Sequence, residues 1–300
     1  MRVAANERSK SSINSLSLPK VIEEDKTVIH NGIEVRLTLF RPPRTEKDIL
    51  PVVIYYHGGG FVFGSKFTHA KPVRDICVGN HVVVVFVDYS LAPEVKCPVI
   101  HEECFAALSW VVENGDSIKA DTSRLAICGD SAGGNVSACI PLMAKERGLS
   151  DAIKTQILIY PRTAASRDHY ESFQTFGNGD YSYSAQDNRF FDQAYTNGRE
   201  KTKIGYPLLA TQEEMKGLPP ALAFIAEADI LRDEGEEYIR NLTAAGVPTL
   251  AIRILGASMF ISRVKIFGLT LLYTVAAIIG GAQLFISIIL RMPTIQSMGI

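Results

Sequence analysis

Short apolar runs alternate with longer amphipathic segments along most of the chain. Each run has five or six residues, many of them β-branched, which is typical of central strands that are covered on both faces. The segments between them have the spacing of helices that bury one face. The predicted strands are 51–56, 82–87, 124–128, 155–160, 221–226 and 249–254, and the predicted helices are 98–114, 135–147 and 232–245.

Strands that alternate with helices predict right-handed crossovers and a mostly parallel central sheet flanked by helices, which is an α/β fold. Residues 163–217 interrupt this rhythm, because they are rich in Tyr, Phe, Asn, Asp and Gly and contain no comparable strand run. We therefore expect this segment to be a cap inserted into the α/β domain.

Composition excludes several classes of protein. Of 300 residues, 47% are hydrophobic, which is too many for a disordered chain. Lys and Arg number 31 against 32 Asp and Glu, so no net positive charge attracts nucleic acid. Five cysteines without a C-x-x-C pair favour a reducing compartment over a disulfide scaffold.

The C-terminal part of the chain contains a long apolar stretch. The 25 residues 266–290 carry no charge and are flanked by Arg263, Lys265 and Arg291. A helix of this length spans roughly 37 Å, enough to cross a hydrocarbon core of about 30 Å. We expect residues 1–263 to form the α/β domain and 264–291 an apolar segment. That segment is a candidate membrane helix whose flanking charges place the domain in the cytoplasm; a buried terminal helix and an artefactual tail are the alternatives.

Candidate chemistry follows three of the predicted strands. In an open α/β sheet, ligands bind beyond the carboxyl ends of the strands. There the sequence places three successive glycines after His57, a G-x-S-x-G motif centred on Ser131, and a carboxylate at Asp229. A serine between a strand and a helix, with glycines on both sides, predicts a nucleophile elbow.

Four motifs in order resemble one enzyme family. They are HGGGF at 57–61, DYSLAPE at 88–94, GDSAGGN at 129–135 and EADILRDEG at 227–235. With this spacing the chain is similar, from about residue 18 to about residue 255, to the hormone-sensitive-lipase family of α/β-hydrolases, which includes carboxylesterases and acetyl hydrolases. The resemblance implies an α/β-hydrolase fold with a cap, a small-molecule ester substrate, and neither a cofactor nor a metal. It does not indicate an oligomeric state.

The resemblance also implies a role for eight residues. Ser131 is the nucleophile, and Asp229 is the acid that orients the base. The backbone N–H groups that donate to the oxyanion belong to Gly59, Gly60 and Ala132. The residues that support the oxyanion loop are His57, Gly58 and Glu94. From the residues alone, Asp229 also fits a simple helix-start carboxylate near Arg232.

The expected catalytic histidine is missing. The family places it about thirty residues after the acid, and here residues 255–260 read LGASMF. All six histidines precede Asp229: His30, His57, His69, His81, His101 and His169. Without a base the serine hydroxyl is a poor nucleophile, so we expect impaired ester hydrolysis. The alternatives are a base supplied by His69 or His169, a catalytically silent ligand-binding protein on the same fold, and an inactive mis-joined fragment.

Aromatic residues are concentrated in the predicted cap. Two interpretations fit them equally: the lining of an acyl pocket, or a small core of the cap itself. The residues are Phe173, Phe176, Tyr181, Tyr183, Phe190, Phe191 and Tyr195.

Overall fold

A computed structural model describes residues 7, 18–181, 183–196, 198 and 201–258. Its eight strands form one sheet in the order β1-β2-β4-β3-β5-β6-β7-β8. The strands are β1 Ile22–His30, β2 Ile33–Arg41, β3 Leu50–Tyr56, β4 Val83–Asp88, β5 Ala120–Asp130, β6 Thr155–Ile159, β7 Ala221–Ala228 and β8 Thr249–Ser258.

Across the sheet, from β4 through β3, β5, β6 and β7 to β8, neighbouring strands are parallel. This confirms the predicted, mostly parallel sheet. All six predicted strands are present within a few residues of their predicted bounds. The sequence pattern did not predict β1 and β2, which form an antiparallel hairpin at one edge. These two strands were missed because one face of β1 is exposed to solvent. Its sequence, IEEDKTVIH, therefore contains charged residues and is not a continuous apolar run.

Helices cover both faces of the sheet. Those between β3 and β6 are α1 Ala70–Asn80, α2 Val99–Asn114 and α3 Ala132–Glu146. Later in the chain come α4 Glu171–Phe176, α5 Ala185–Thr196, α6 Gln212–Met215 and α7 Arg232–Ala244.

The two sides of each central strand face different helices. On one side of β3, Ile54 packs in a cluster with residues of α2 and α3. On the other side, Tyr55 packs in a cluster with residues of α1. A third cluster joins α7 to α3 across β6 and β7. The strands are therefore held between two layers, and their carboxyl ends meet at one edge.

Within 163–217 the described residues contain α4, α5, the 3₁₀ turn Pro207–Leu209 and α6, and no strand. Buried charges connect this segment to α7. Arg167 Nε lies 2.5 Å from Glu234 of α7, and Arg162 and Arg167 both form ion pairs with Asp192 of α5. Glu234 also accepts the Thr163 backbone N–H at 2.6 Å.

None of the helices in the described ranges is long and apolar enough to cross a membrane. The predicted apolar segment 264–291 lies outside the described residues.

Candidate active site

Ser131 occupies a strained turn between β5 and α3. Its φ and ψ are 53° and −113°, in the left-handed half of the backbone map, where a non-glycine residue is strained and often functional. The turn is held by hydrogen bonds from the Ser131 N–H to the carbonyl of Ile159 at 2.9 Å and from the Asn135 N–H to the carbonyl of Ser131 at 3.0 Å. This geometry is that of a nucleophile elbow.

Position 133 requires a glycine because the turn at Ser131 lies too close to β3 for a side chain there. A Cβ atom on Gly133 would lie 1.9 Å from the carbonyl oxygen of Tyr56. Ala132, between this glycine and the serine, is the first residue of α3. Its N–H has no carbonyl acceptor within the helix, because the first N–H groups of a helix have none.

The three-glycine segment forms a compact loop after β3. Gly59 and Gly60 have φ values of +119° and +62°, which glycine adopts with little cost. The loop closes on itself through a hydrogen bond from the Phe63 N–H to the carbonyl of Gly59 at 2.8 Å.

Asp130, the residue before the nucleophile, connects the elbow to this loop. Its Oδ1 accepts the Gly58 N–H at 3.0 Å and the hydroxyl of Tyr55 at 2.8 Å. His69 Nε2 lies 3.4 Å from Oδ2. Burial favours the neutral acid, but the charge of His69 and hydrogen bonds from His69 and Tyr55 outweigh it, so the pKa of Asp130 lies below its usual value. The aspartate of the GDSAGG motif is thus a site residue that the sequence analysis passed over, although its motif position could have found it.

His57 supports the loop from below. Its ring is stacked on that of Tyr89 with centroids 4.1 Å apart, and its Nδ1 lies 2.8 Å from the carbonyl oxygen of Gly58. Burial, reinforced by the nearby His69, lowers the pKa of His57 to about 3, so the ring is neutral at physiological pH. Within the DYSLAPE motif, Ala92 donates its N–H to the carbonyl of Phe61 at 2.8 Å, and Glu94 is exposed.

Asp229 follows β7 and is 2% exposed. Its Oδ1 accepts the Leu231 N–H at 2.9 Å, whereas its Oδ2 has no hydrogen-bond partner among the described residues. Burial is the main reason that the pKa of this carboxyl is raised to about 7. The role of a carboxylate near the start of a helix accounts for the hydrogen bond of Oδ1. It does not account for Oδ2, which is a buried acceptor without a donor in the described part of the chain.

The histidines, all of them within the described ranges, do not fill this position, because Asp229 Oδ2 has no partner there. His69 is engaged with Asp130 through one ring nitrogen and with Thr68 Oγ1 through the other, at 2.8 Å. His169 is exposed and lies against the ring of Tyr170. The chain position at which the family carries its histidine begins at Ser258, the last described residue, and Met259 lies outside the described residues.

The aromatic residues of the cap segment do not form one group. Tyr195 is fully buried and stacked on Phe61, and Phe173 belongs to the core beside the sheet. Phe191 packs against the core cluster and also against the glycine loop: a Cβ atom on Gly60 would be 2.5 Å from Phe191 Cγ. Phe173, Phe191 and Tyr195 therefore contribute to the core, and the lining of an acyl pocket stays a prediction.

Comparisons with known proteins agree with this architecture. A family model described as the alpha/beta hydrolase fold matches residues 53–258. Carboxylesterase NlhH of Mycobacterium tuberculosis is 39% identical over 235 residues, which cover 77% of this chain and 72% of that protein. Ethyl acetate hydrolase of Pseudomonas putida is 33% identical over 234 residues, covering 76% and 72%. A solved structure of a fungal esterase from Rhizomucor miehei has a TM-score of 0.89 and 48% identity, covering 93% of this chain and 90% of that one.

Proposed function

This chain belongs to the alpha/beta-hydrolase fold family, and on that premise we propose that it cleaves carboxylic esters of small molecules through an acyl-enzyme on Ser131. The observation that carries the proposal is the strained elbow of Ser131 next to the glycine loop after β3. The names of the relatives, a carboxylesterase, an ethyl acetate hydrolase and a fungal esterase, support the same substrate class.

In the first step the Ser131 hydroxyl oxygen attacks the ester carbonyl carbon. The carbonyl oxygen becomes an oxyanion, and the N–H groups of Gly59, Gly60 and Ala132 stabilise it. Donors fixed in advance at such a position contribute on the order of 3–4 kcal/mol each to lowering the barrier. The tetrahedral intermediate then expels the alkoxide, which takes up the proton lost from the Ser131 hydroxyl and leaves as the alcohol, and the acyl group remains on Ser131.

In the second step water attacks the acyl-serine and releases the carboxylic acid. Both steps need a group that takes a proton and returns it, and in serine hydrolases one histidine does both. Asp229 has the position of the acid that orients this histidine, yet the chain has no histidine after it. We therefore expect hydrolysis to be slow, with oxyanion stabilisation and substrate binding supplying most of the rate.

Labelling and turnover separate the candidate functions. The wild-type chain, Ser131→Ala and Ser137→Ala are treated with a fluorophosphonate, and the modified residue is found by mass spectrometry; p-nitrophenyl acetate hydrolysis is followed in parallel. Ser137 is the control because it is a buried serine of α3, the helix that follows Ser131. We expect slow modification of Ser131 and slow turnover, both lost in Ser131→Ala and retained in Ser137→Ala.

Other results would favour the alternatives. Binding of short esters without labelling of Ser131 and without turnover would indicate a ligand-binding protein. Absence of binding, labelling and turnover would indicate an inactive chain. Rapid turnover that depends on Ser131 would show that another group supplies the base.

We also propose that residues 266–290 anchor the hydrolase to a membrane, with the catalytic domain on the cytoplasmic side. The support comes from sequence: an uncharged stretch of 25 residues with two basic residues just before it, Arg263 and Lys265, and one after it, Arg291.

A further inference from the structure

His69, the residue just before α1, contacts a polar partner with each of its ring nitrogens. Nδ1 lies 2.8 Å from Oγ1 of Thr68, and Nε2 lies 3.3 Å and 3.4 Å from the two carboxylate oxygens of Asp130. The side chains of His69 and Asp130 are 12% and 8% exposed, so water contributes little to this pair. The hydrogens that the partners can offer therefore decide where the ring carries its own.

Thr68 accepts a hydrogen bond from Nδ1. Its hydroxyl has a single hydrogen, and the carbonyl oxygen of Ser65, 2.9 Å from Oγ1, can only accept it. The same Oγ1 accepts the Ser65 N–H at 2.9 Å. All three contacts are hydrogen bonds when the hydroxyl donates to Ser65 and Nδ1 carries the hydrogen that it shares with Thr68.

Asp130 accepts a hydrogen bond from Nε2. A neutral ring with its hydrogen on Nδ1 could make this contact only with a protonated carboxyl. Burial favours that neutral acid, but the charge of His69 and the hydrogen bonds from His69 and Tyr55 keep the pKa of Asp130 below its usual value. An ionised carboxylate has no hydrogen to donate, so Nε2 carries one too, and a ring that donates from both nitrogens is an imidazolium.

Other titratable groups also lie around the Asp130 carboxylate. With His69 they are Tyr55, His57, Tyr89, Cys128 and Tyr160. Phenols and thiols carry no positive charge, and burial lowers the pKa of His57 to about 3. Among these described residues, His69 is therefore the one that supplies the positive charge.

From these contacts we propose that His69 is a positioning residue: its imidazolium holds the Asp130 carboxylate, which in turn holds the glycine loop. The inference rests on the proposed acyl-enzyme. Asp130 Oδ1 accepts the Gly58 N–H at 3.0 Å, and a hydrogen bond to an ionised acceptor is roughly twice as strong as a neutral one. Gly58 directly precedes the proposed oxyanion donors Gly59 and Gly60. A ring with hydrogens on both nitrogens has no lone pair to take a proton, so this role excludes His69 as the base.

The test is a double-mutant cycle on wild type, His69→Gln, Asp130→Asn and the double variant. Glutamine keeps an N–H donor but cannot carry the charge. The rate at which a fluorophosphonate modifies Ser131 is measured by mass spectrometry. We expect His69→Gln to lower this rate about tenfold in wild type and less than about twofold in Asp130→Asn, because residues that act through one another do not add.

His30→Gln is the matched control for the cycle. His30 also lies beside a carboxylate, with Nδ1 3.3 Å from Glu113, but it belongs to β1 at the edge of the sheet. We expect this variant to change the labelling rate by less than about twofold.

Nuclear magnetic resonance of ¹⁵N-labelled histidine rings at pH 6 gives a second readout, which a merely structural role would not move. The His69 signal is the one absent from His69→Gln or His69→Asn. We expect hydrogens on both of its nitrogens in wild type and a smaller imidazolium fraction in Asp130→Asn, since loss of the carboxylate removes the charge that favours this form.

Several results would overturn the role of His69 while Ser131 is still labelled: no loss of rate in His69→Gln, an equal loss with and without the Asp130 carboxylate, or a neutral His69 ring in wild type. Absence of labelling in every protein would instead contradict the acyl-enzyme itself, and the ring signal would still decide whether His69 is the charged partner of Asp130.

Discussion

Asp229 presents two carboxylate oxygens in different situations. Oδ1 accepts a backbone N–H from Leu231, while Oδ2 is buried without a donor among the described residues. A buried carboxylate with an unsatisfied oxygen loses solvation that nothing replaces, which is why its pKa rises to about 7. A neighbouring imidazolium would reverse that shift, because an opposite charge favours the ionised form. The acid is thus arranged for a partner that the sequence does not supply.

Introducing a histidine at the family position is the direct test of this arrangement. We expect Met259→His, or Ser258→His if the register differs by one residue, to raise the turnover of p-nitrophenyl acetate by several orders of magnitude. The reason is that loss of the histidine in a serine hydrolase costs on the order of 10⁶ in turnover. The gain should vanish when Ser131→Ala is added. No gain from either substitution would mean that this part of the chain does not bring a side chain to Asp229.

The raised pKa of Asp229 also predicts a pH-dependent stability. Between the unfolded value of 3.8 and the folded value of about 7, the folded protein retains a proton that the unfolded chain has lost. Stability therefore falls as the pH rises through this window. Asp229→Asn removes the effect, so we expect the variant to gain a few kcal/mol over wild type between pH 5 and pH 8.

Urea unfolding at pH 5 and pH 8 measures this difference. Asp116→Asn, which changes an exposed carboxylate, is the control and should show the same difference from wild type at both pH values. If the free energy of unfolding of Asp229→Asn differed from that of wild type by the same amount at pH 5 and at pH 8, the carboxyl would not be protonated in the folded protein at pH 5 to 7.

At the scale of elements, β5, the elbow and α3 depend on the loop after β3. Asp130 at the end of β5 accepts the Gly58 N–H of that loop, and Gly133 of α3 lies against Tyr56, the last residue of β3. A Cβ on Gly58 would itself lie 2.3 Å from Asp130 Oδ2. The proposed nucleophile and the proposed oxyanion donors are therefore positioned by contacts between these elements, although about seventy residues separate them in the sequence.

Removing the carboxylate of Asp130 should disturb the oxyanion donors without touching the nucleophile. In Asp130→Ala the Gly58 N–H and the Tyr55 hydroxyl lose their acceptor. We expect the rate of Ser131 labelling by a phosphonate to fall by about 10- to 100-fold, which is less than the roughly 100- to 1000-fold loss from removing one oxyanion donor outright. Asp121→Ala, on the same strand but bonded to Ser123 and Arg124, is the control. Equal rates in the two variants would contradict the positioning role of Asp130.

At the scale of the whole molecule, the parallel sheet brings together groups that are far apart in the chain. The glycine loop, the elbow and the acid follow β3, β5 and β7, whose carboxyl ends share one edge. These three groups all lie within the described residues up to 258, whereas the apolar residues 266–290 lie outside them.

Membrane attachment is tested on the expressed chain. We expect full-length protein to partition into detergent and a chain that ends before Gly268 to remain in the aqueous phase, because the truncation removes most of the uncharged stretch. Phase separation in a mild detergent, followed by immunoblotting, gives the measurement. Full-length protein that stays monodisperse without detergent would rule out the anchor.

The sequence predicted the parts of the structure that follow from local pattern and spacing. The central strands have continuous apolar runs, and Ser131 and the three-glycine loop follow such runs directly, so both fold and motif positions could be predicted. The edge hairpin β1–β2 could not be predicted in this way, because the charged residues on its exposed face leave β1 without a continuous apolar run. Neither could the contacts of His69 with Asp130 or of Phe191 with Gly60, since they join residues more than sixty positions apart through packing alone.

The ion pairs that connect the cap segment to α7 bear on how substrate enters. Arg167 pairs with both Asp192 on the cap helix and Glu234 of α7, and Arg162 pairs with Asp192. Swinging the cap aside would leave buried charges uncompensated, at a cost of several kcal/mol. We therefore expect the cap segment to stay in place against α7 while an ester binds, so that the on-rate does not depend on the frequency of a lid motion.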